Sequence, residues 1–175
     1  MNSEHPVATW LTHRVSYGET DAMNVVYYAE YFHLFERARN EYIRELGMTY
    51  KQVEERGLYL PVREAQARYR CPLRYDDLIH IKAVISDWRR ASLLFEYEIY
   101  NEDKTVMSTT GSTLHACVNA QGKPVPVPGW LRLHLQPVYG DPAGVVQTRR
   151  TVGVRLAASG EGGRDADMRS PAAEN

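Results

Sequence analysis

The chain has 175 residues, 43% of them hydrophobic and 18 of them aromatic, which suits one domain with a real core. Its 21 Lys and Arg nearly balance 22 Asp and Glu, and a net charge of −1 argues against a dedicated nucleic-acid binder. No apolar run approaches the roughly 18 residues of a membrane span. Residues 1–11 have no basic-then-apolar leader pattern, so the expectation is a soluble cytoplasmic protein. Two distant cysteines, Cys71 and Cys117, exclude a disulfide framework, and no Cys-x-x-Cys pair offers zinc ligands.

Residues 1–11 read as a flexible N-terminus, and His13 to Gly18 as a short strand. A polar turn, Glu19-Thr20-Asp21-Ala22-Met23-Asn24, follows. Tyr28, Tyr31, Phe32, Phe35, Ala38, Tyr42, Ile43 and Leu46 then recur at three- and four-residue spacing. That spacing predicts a helix of about 18 residues with a wide aromatic stripe, stopped at Gly47. Glu36, Arg37 and Arg39 read as ion pairs along its polar side.

Period-two alternation predicts strands at 64–70, 78–88 and 92–100, and a β-branched run predicts another over 105–119. Turn signals separate them at Cys71-Pro72, Asp76-Asp77, Arg89-Arg90, Asn101-Glu102-Asp103 and Gln121-Gly122. Short connections imply antiparallel meanders. A last short helix at 128–135 closes a domain spanning 12–138. Beyond it, residues 139–175 hold a single aromatic, Tyr139, and their Gly-, Ala-, Arg- and Ser-rich composition predicts a disordered tail. The order of strand, long helix and four strands is an α+β pattern. A strongly curved antiparallel sheet wrapped around the helix would bury the stripe and leave an outer face and edges for a homo-oligomer.

Tyr17-Gly-Glu-Thr-Asp21-Ala-Met-Asn-Val-Val-Tyr27-Tyr-Ala-Glu-Tyr31, followed by Phe35-Glu36-Arg37-Ala38-Arg39, resembles the signature of the 4-hydroxybenzoyl-CoA thioesterase family of hotdog-fold enzymes, with its YbgC-like acyl-CoA thioesterase branch. Tyr69-Arg-Cys-Pro72-Leu-Arg-Tyr75-Asp76-Asp77 and Asp87-Trp-Arg-Arg90-Ala-Ser92 resemble two further stretches of that family. The resemblance covers residues 12–137. It implies a hotdog fold, dimers or tetramers, an acyl-CoA substrate, and neither a metal nor an organic cofactor.

By that resemblance the family's acid falls on Asp21, and Tyr28 supplies a backbone N–H that polarises the thioester carbonyl. Asn24 stands where the family has Gly, and asparagine tolerates positive φ. Asn24 and Val25 belong to the substrate-contacting turn. A histidine common in the YbgC-like branch is replaced by Tyr28. Arg89, Arg90 and Ser92 match the site for the phosphates of coenzyme A, though Ala91 stands where the family often has lysine.

The chemistry is consistent on its own terms. A carboxylate can attack a thioester or deprotonate water, and unpaired N–H groups near a helix start suit an oxyanion. The same residues have plainer uses: Asp21 as a helix cap or Asx turn, and Arg89 and Arg90 as a solvated hairpin. Arg63, Arg68, Arg70 and Arg74 read as a wet sheet face or a basic rim, and Asp76 and Asp77 as turn-shaping residues. The six histidines lack metal-ligand spacing, and no Gly-x-Ser-x-Gly elbow is present. Competing functions are a hotdog hydratase or dehydratase, for which the Asp21 turn lacks a histidine, and a non-catalytic acyl-CoA or acyl-carrier binding module.

Overall fold

A computed structural model describes residues 8–135. Strands β1 (Thr9–Arg14), β2 (Val62–Tyr69), β3 (Leu78–Trp88), β4 (Ser92–Tyr100) and β5 (Met107–Ala116) form one antiparallel sheet in the order β1-β3-β4-β5-β2. Helix α1 (Glu30–Glu45) lies on this sheet, followed by α2 (Tyr50–Glu55), while α3 (Gly129–Leu135) closes the described chain.

Four features depart from expectation. The first strand lies at Thr9–Arg14, paired with β3 from Thr9↔Ala83 to Arg14↔Leu78, so residues 9–11 belong to the sheet and not to a loose N-terminus. Residues 17–19 form a 3-10 turn instead of continuing that strand. Helix α2 was not anticipated, although its capping box was readable: Thr49 accepts from the Gln52 N–H, and the Gln52 side chain reaches back. The meander holds for β3-β4-β5 only, because β2 crosses to the far edge beside β5. There its alternation buries nothing: apart from half-buried Ala67 the whole strand is exposed. The expected tail at 139–175 lies outside the described residues.

The aromatic stripe works as predicted from Tyr31 onward. Tyr31, Leu34, Phe35, Ala38, Tyr42 and Ile43 are buried, and Gly47 ends the helix at φ +87°. Tyr28 precedes the helix and is 60% exposed, so it is not part of the stripe. Ile79, Ile81, Ala83 and Ile85 of β3, with Leu93, Phe95, Tyr97 and Ile99 of β4, supply the facing core. The Phe35 ring stacks on Tyr97 at 4.5 Å, and Tyr42 meets Phe95 edge-on at 5.6 Å. Gly111 of β5 permits this close approach. A Cβ there would overlap the Phe35 ring and lie 3.0 Å from the Gln66 carbonyl oxygen. Cys117, just past β5, is buried, and burial pushes its thiol up to about 11.

The helix's polar residues do not pair as expected. Arg37 reaches across to Glu19 at 3.0 Å. Arg39 donates through Nε to the Tyr50 hydroxyl at 2.9 Å and, at 3.5 Å, to the Tyr97 hydroxyl. The short-range ion pair on α1 is instead Glu41 with Arg44. The Tyr97 hydroxyl donates to Thr113 Oγ1 at 2.7 Å, and Thr113 donates to His115 Nε2 at 2.9 Å. His115 Nδ1–H donates to the Leu60 carbonyl at 2.8 Å. With Arg39 donating at one end and a carbonyl accepting at the other, the chain holds His115 as its neutral Nδ1–H tautomer. Burial, opposed by the Leu60 hydrogen bond and helped by a smaller push from the Arg39 charge, takes this imidazole down to about 4.

Gly111→Ala forces the ring out of its stack and is expected to cost about 1–3 kcal/mol. Thermal unfolding checks this, and Phe35→Leu in the same chain should recover part of the loss. His115 supplies a pH test. Its folded value lies below its ordinary 6.5, so the unfolded chain binds the proton first and stability falls as pH drops from 6.5 toward 4. Between pH 7 and 5 the loss amounts to about 2 kcal/mol. Denaturant midpoints across this range should show that slope, and His115→Asn should flatten it.

Candidate active site

The turn containing Asp21 is folded back on itself by backbone hydrogen bonds. Asp21 N–H donates to Val25 O at 2.9 Å and Tyr27 N–H to Glu19 O at 2.9 Å, with Thr20 bridged to Val26. Asn24 takes φ +59° at the tip and its N–H returns to Asp21 O at 2.9 Å. The positive φ expected at Asn24 is thus present. Val26 N–H reaches Leu73 O at 2.8 Å, and Arg74 Nη1 reaches Asn24 O at 3.4 Å, which ties the turn to the 71–77 segment. That segment is itself shaped by its aspartates: Asp77 Oδ2 accepts from Arg74 N–H at 2.7 Å, and Asp76 sits at φ +69°.

Asp21 is not a helix cap, since α1 begins nine residues later with Ala29 at its N-cap. It makes an Asx turn: Oδ1 accepts from the Met23 N–H at 2.8 Å. Among the described residues nothing bonds Oδ2. The ladder returns the chain from Asp21 to Tyr27 and Tyr28, so the carboxylate and the helix start share one loop. Its charge reaches the Tyr27 phenol, whose pKa is raised chiefly by a hydrogen bond with the Tyr28 phenol, with Asp21 adding a smaller push.

The helix start carries the donors. Tyr27 O accepts from Glu30 N–H at 2.9 Å. Among the described residues the N–H groups of Tyr28 and Ala29 have no partner, the orphan state typical of a helix N-terminus. The surface around the loop is unusually apolar for solvent: Tyr17 is 78% exposed, Met23 74% and Tyr75 58%.

Glu19 anchors the loop to the rest of the molecule and was missed as anything more than a turn residue. Only 8% exposed, its carboxylate accepts from His13 Nε2 at 2.9 Å, Ser16 N–H at 2.7 Å and Arg37 at 3.0 Å. Burial pushes its pKa up, but the hydrogen bonds from His13, Ser16 and Arg37 together outweigh burial and hold it below the usual 4.5. His13 and Arg37 come from β1 and α1, which no local spacing in the sequence marks, whereas Ser16 and Glu19 form a Ser-x-x-Glu capping box that was readable.

The arginines lie elsewhere. Arg89 and Arg90 form the β3–β4 hairpin, at the opposite end of β3 from Leu78, where the Asp21 loop docks. Ten residues of strand separate the two ends by about 30 Å. Arg89 is paired to Asp87 at 2.8 Å, Arg90 has no side-chain partner among the described residues, and Ser92 is buried. Arg132 of α3 lies over the Trp88 ring at 5.4 Å, adding a third guanidinium that the sequence pattern did not reveal. One chain therefore brings Asp21, Asn24, Val25 and Tyr28 together but does not join them to Arg89, Arg90 and Ser92. A hollow of about 550 Å³ near the 71–77 segment is bordered by Asp76, Asp77, Glu102 and Asp103, and it includes neither Asp21 nor Tyr28. Its charge disfavours a polyphosphate.

No helix among the described residues is long and apolar enough to cross a membrane. Residues 15–135 match the thioesterase-like superfamily. Acyl-CoA thioesterase YbgC of Haemophilus influenzae is 38% identical over 117 residues, covering 66% of this chain and 85% of its own. The 4-hydroxybenzoyl-CoA thioesterase of a Pseudomonas species is 28% identical over 89 residues, covering 49% of this chain and 63% of its own. Among solved structures, a hypothetical protein from Aquifex aeolicus superposes with a TM-score of 0.69 at 30% identity, over 73% of this chain and 99% of that one. With an antiparallel sheet laid on one long central helix and a superfamily match over most of its length, the chain belongs to the thioesterase-like superfamily of hotdog proteins.

Proposed function

We propose that this protein is an acyl-CoA thioesterase, hydrolysing the thioester to a free acid and coenzyme A. The observation that carries the reading is the Asp21 turn, in which one carboxylate oxygen is fixed by the Met23 N–H and the other is left unbonded, in one loop with the unpaired Tyr28 N–H. The names of the superfamily relatives support the same reaction class.

In this scheme the thioester carbonyl oxygen accepts from the Tyr28 N–H. As the carbonyl carbon turns tetrahedral, charge grows on that oxygen and the helix N-terminus stabilises it; one such donor contributes about 3 kcal/mol to lowering the barrier. Asp21 Oδ2 either deprotonates a water that attacks the carbon, or attacks it and forms an anhydride that water then opens. Coenzyme A leaves as its thiolate and takes up a proton given up by the water; the thioester is activated enough that no metal is needed. Asn24 and Val25 contribute through the backbone of the turn: their carbonyls accept from Arg74 and the Asp21 N–H, so they hold the turn that carries Asp21 in shape.

Arg89, Arg90 and Arg132 are assigned to the phosphates of coenzyme A, which guanidinium groups bind bidentately. Arg89 and Arg90 lie at the far end of β3 from the Asp21 loop within one chain, and we assign them to the site of another copy. The exposed strand β2 is the edge through which copies associate: it presents free backbone groups together with Val62 and Tyr69. The working form is therefore a homo-oligomer.

Asp21→Asn is nearly isosteric and can still accept from the Met23 N–H. It is expected to abolish turnover of acyl-CoA, measured as thiol release, while melting temperature and acyl-CoA binding stay near wild type. Turnover within a few-fold of wild type contradicts the assignment. Single turnover in heavy-oxygen water separates the two routes, since label enters the Asp21 carboxylate only through the anhydride. Arg90→Gln should raise KM for acyl-CoA by about tenfold and leave KM for the acyl ester of N-acetylcysteamine, which has no phosphates, unchanged.

A further inference from the structure

Tyr28 is flanked by two peptide planes, and both are held. The plane preceding it is fixed through Tyr27 O, which accepts from Glu30 N–H at 2.9 Å. The plane following it is fixed from outside the loop: the Tyr69 hydroxyl donates to Tyr28 O at 2.9 Å. Tyr69 lies at the last position of the edge strand β2, 41 residues away in sequence, and its ring packs edge-on against buried Tyr31 at 4.8 Å. The phenol is therefore anchored on both sides, by its strand and by the first turn of α1.

From this geometry we infer that Tyr69 is a positioning residue, one that holds the Tyr28 carbonyl, and with it the Ala29 N–H and the Tyr28 torsions on which the aim of the Tyr28 N–H depends, without touching the reacting atoms. The inference rests on the thioesterase reading. The two peptide planes set φ and ψ of Tyr28, and an exposed residue at a helix start frays unless something holds it. A donor aimed in advance stabilises the oxyanion at no cost of reorganisation, whereas a donor that samples several directions stabilises it less at the moment of reaction. Because Tyr69 belongs to the edge strand, order in β2 is transmitted to the donor.

The test is Tyr69→Phe, which keeps the ring against Tyr31 and removes only the hydroxyl. Thiol release, the affinity of a non-hydrolysable thioether analogue of acyl-CoA, melting temperature, and hydrogen exchange of the Tyr28 amide by NMR are compared with wild type and with Asp21→Asn. The expected result is a kcat lower by about tenfold, with KM and analogue affinity within about twofold, an unchanged melting temperature, and faster exchange at the Tyr28 amide. A purely structural role lowers the melting temperature and leaves kcat per folded molecule intact. A wild-type kcat in Tyr69→Phe, while Asp21→Asn is inactive, overturns the positioning role and leaves the hydrolytic reading standing. Wild-type turnover in Asp21→Asn removes the hydrolytic reading instead. The Tyr28 amide then decides the positioning claim alone, and exchange equal to wild type refutes it.

Discussion

A short ladder of backbone hydrogen bonds, joining residues 19–21 to residues 25–27, is the constraint on which the site depends. Without it Asp21 would lie nine residues ahead of α1 with nothing to return the chain to it. The ladder doubles the chain back, uses the Tyr27 N–H on Glu19 O, and leaves the next N–H as the first open donor. The ladder is in turn held by Glu19, a nearly buried carboxylate bonded to β1, to the 3-10 turn and to α1. A buried carboxylate is stable only when such donors surround it. The loop is thus stiff because its anchor is charged, satisfied and shielded from water.

The large elements were legible because their causes are local. β3 and β4 alternate through most of their length, and each lies where the period predicts it. The α1 stripe follows the 3.6-residue period, and Gly47 stops it for the conformational reason glycine usually does. The Asx turn at Asp21 was one of two plain readings of that residue, beside a helix cap, and the positive φ at Asn24 followed from the family resemblance, which has Gly there. What stayed hidden is set by distant partners. The Glu19 cluster spans His13 to Arg37, the Arg39 chain ends at His115, and Tyr69 reaches Tyr28, none at a spacing that sequence periodicity reports. The helix side chains were assigned to one another because neighbours on a helix are the default partners. Tertiary contacts took them instead.

Strand β2 illustrates a different limit. Its residues alternate as a half-buried strand should, yet one chain gives them almost nothing to pack against. Together with the exposed tyrosines near Asp21 and the remote Arg89–Arg90 hairpin, this edge is what supports the proposed homo-oligomer. The proposed function relates the two clusters in the same way: it assigns the reaction to one extremity of the sheet and the phosphates to the other, so that paired copies complete each other's site.

The most direct measurement is a crystal structure with a thioether analogue of acyl-CoA whose carbonyl is retained but cannot be hydrolysed. The account predicts the carbonyl oxygen about 3 Å from the Tyr28 N–H, the Asp21 carboxylate facing the carbonyl carbon directly or through one water, and the phosphates on the arginine hairpin of a neighbouring copy. A carbonyl bound away from the start of α1, with Asp21 turned to solvent and bonded only to the Met23 N–H, would contradict it.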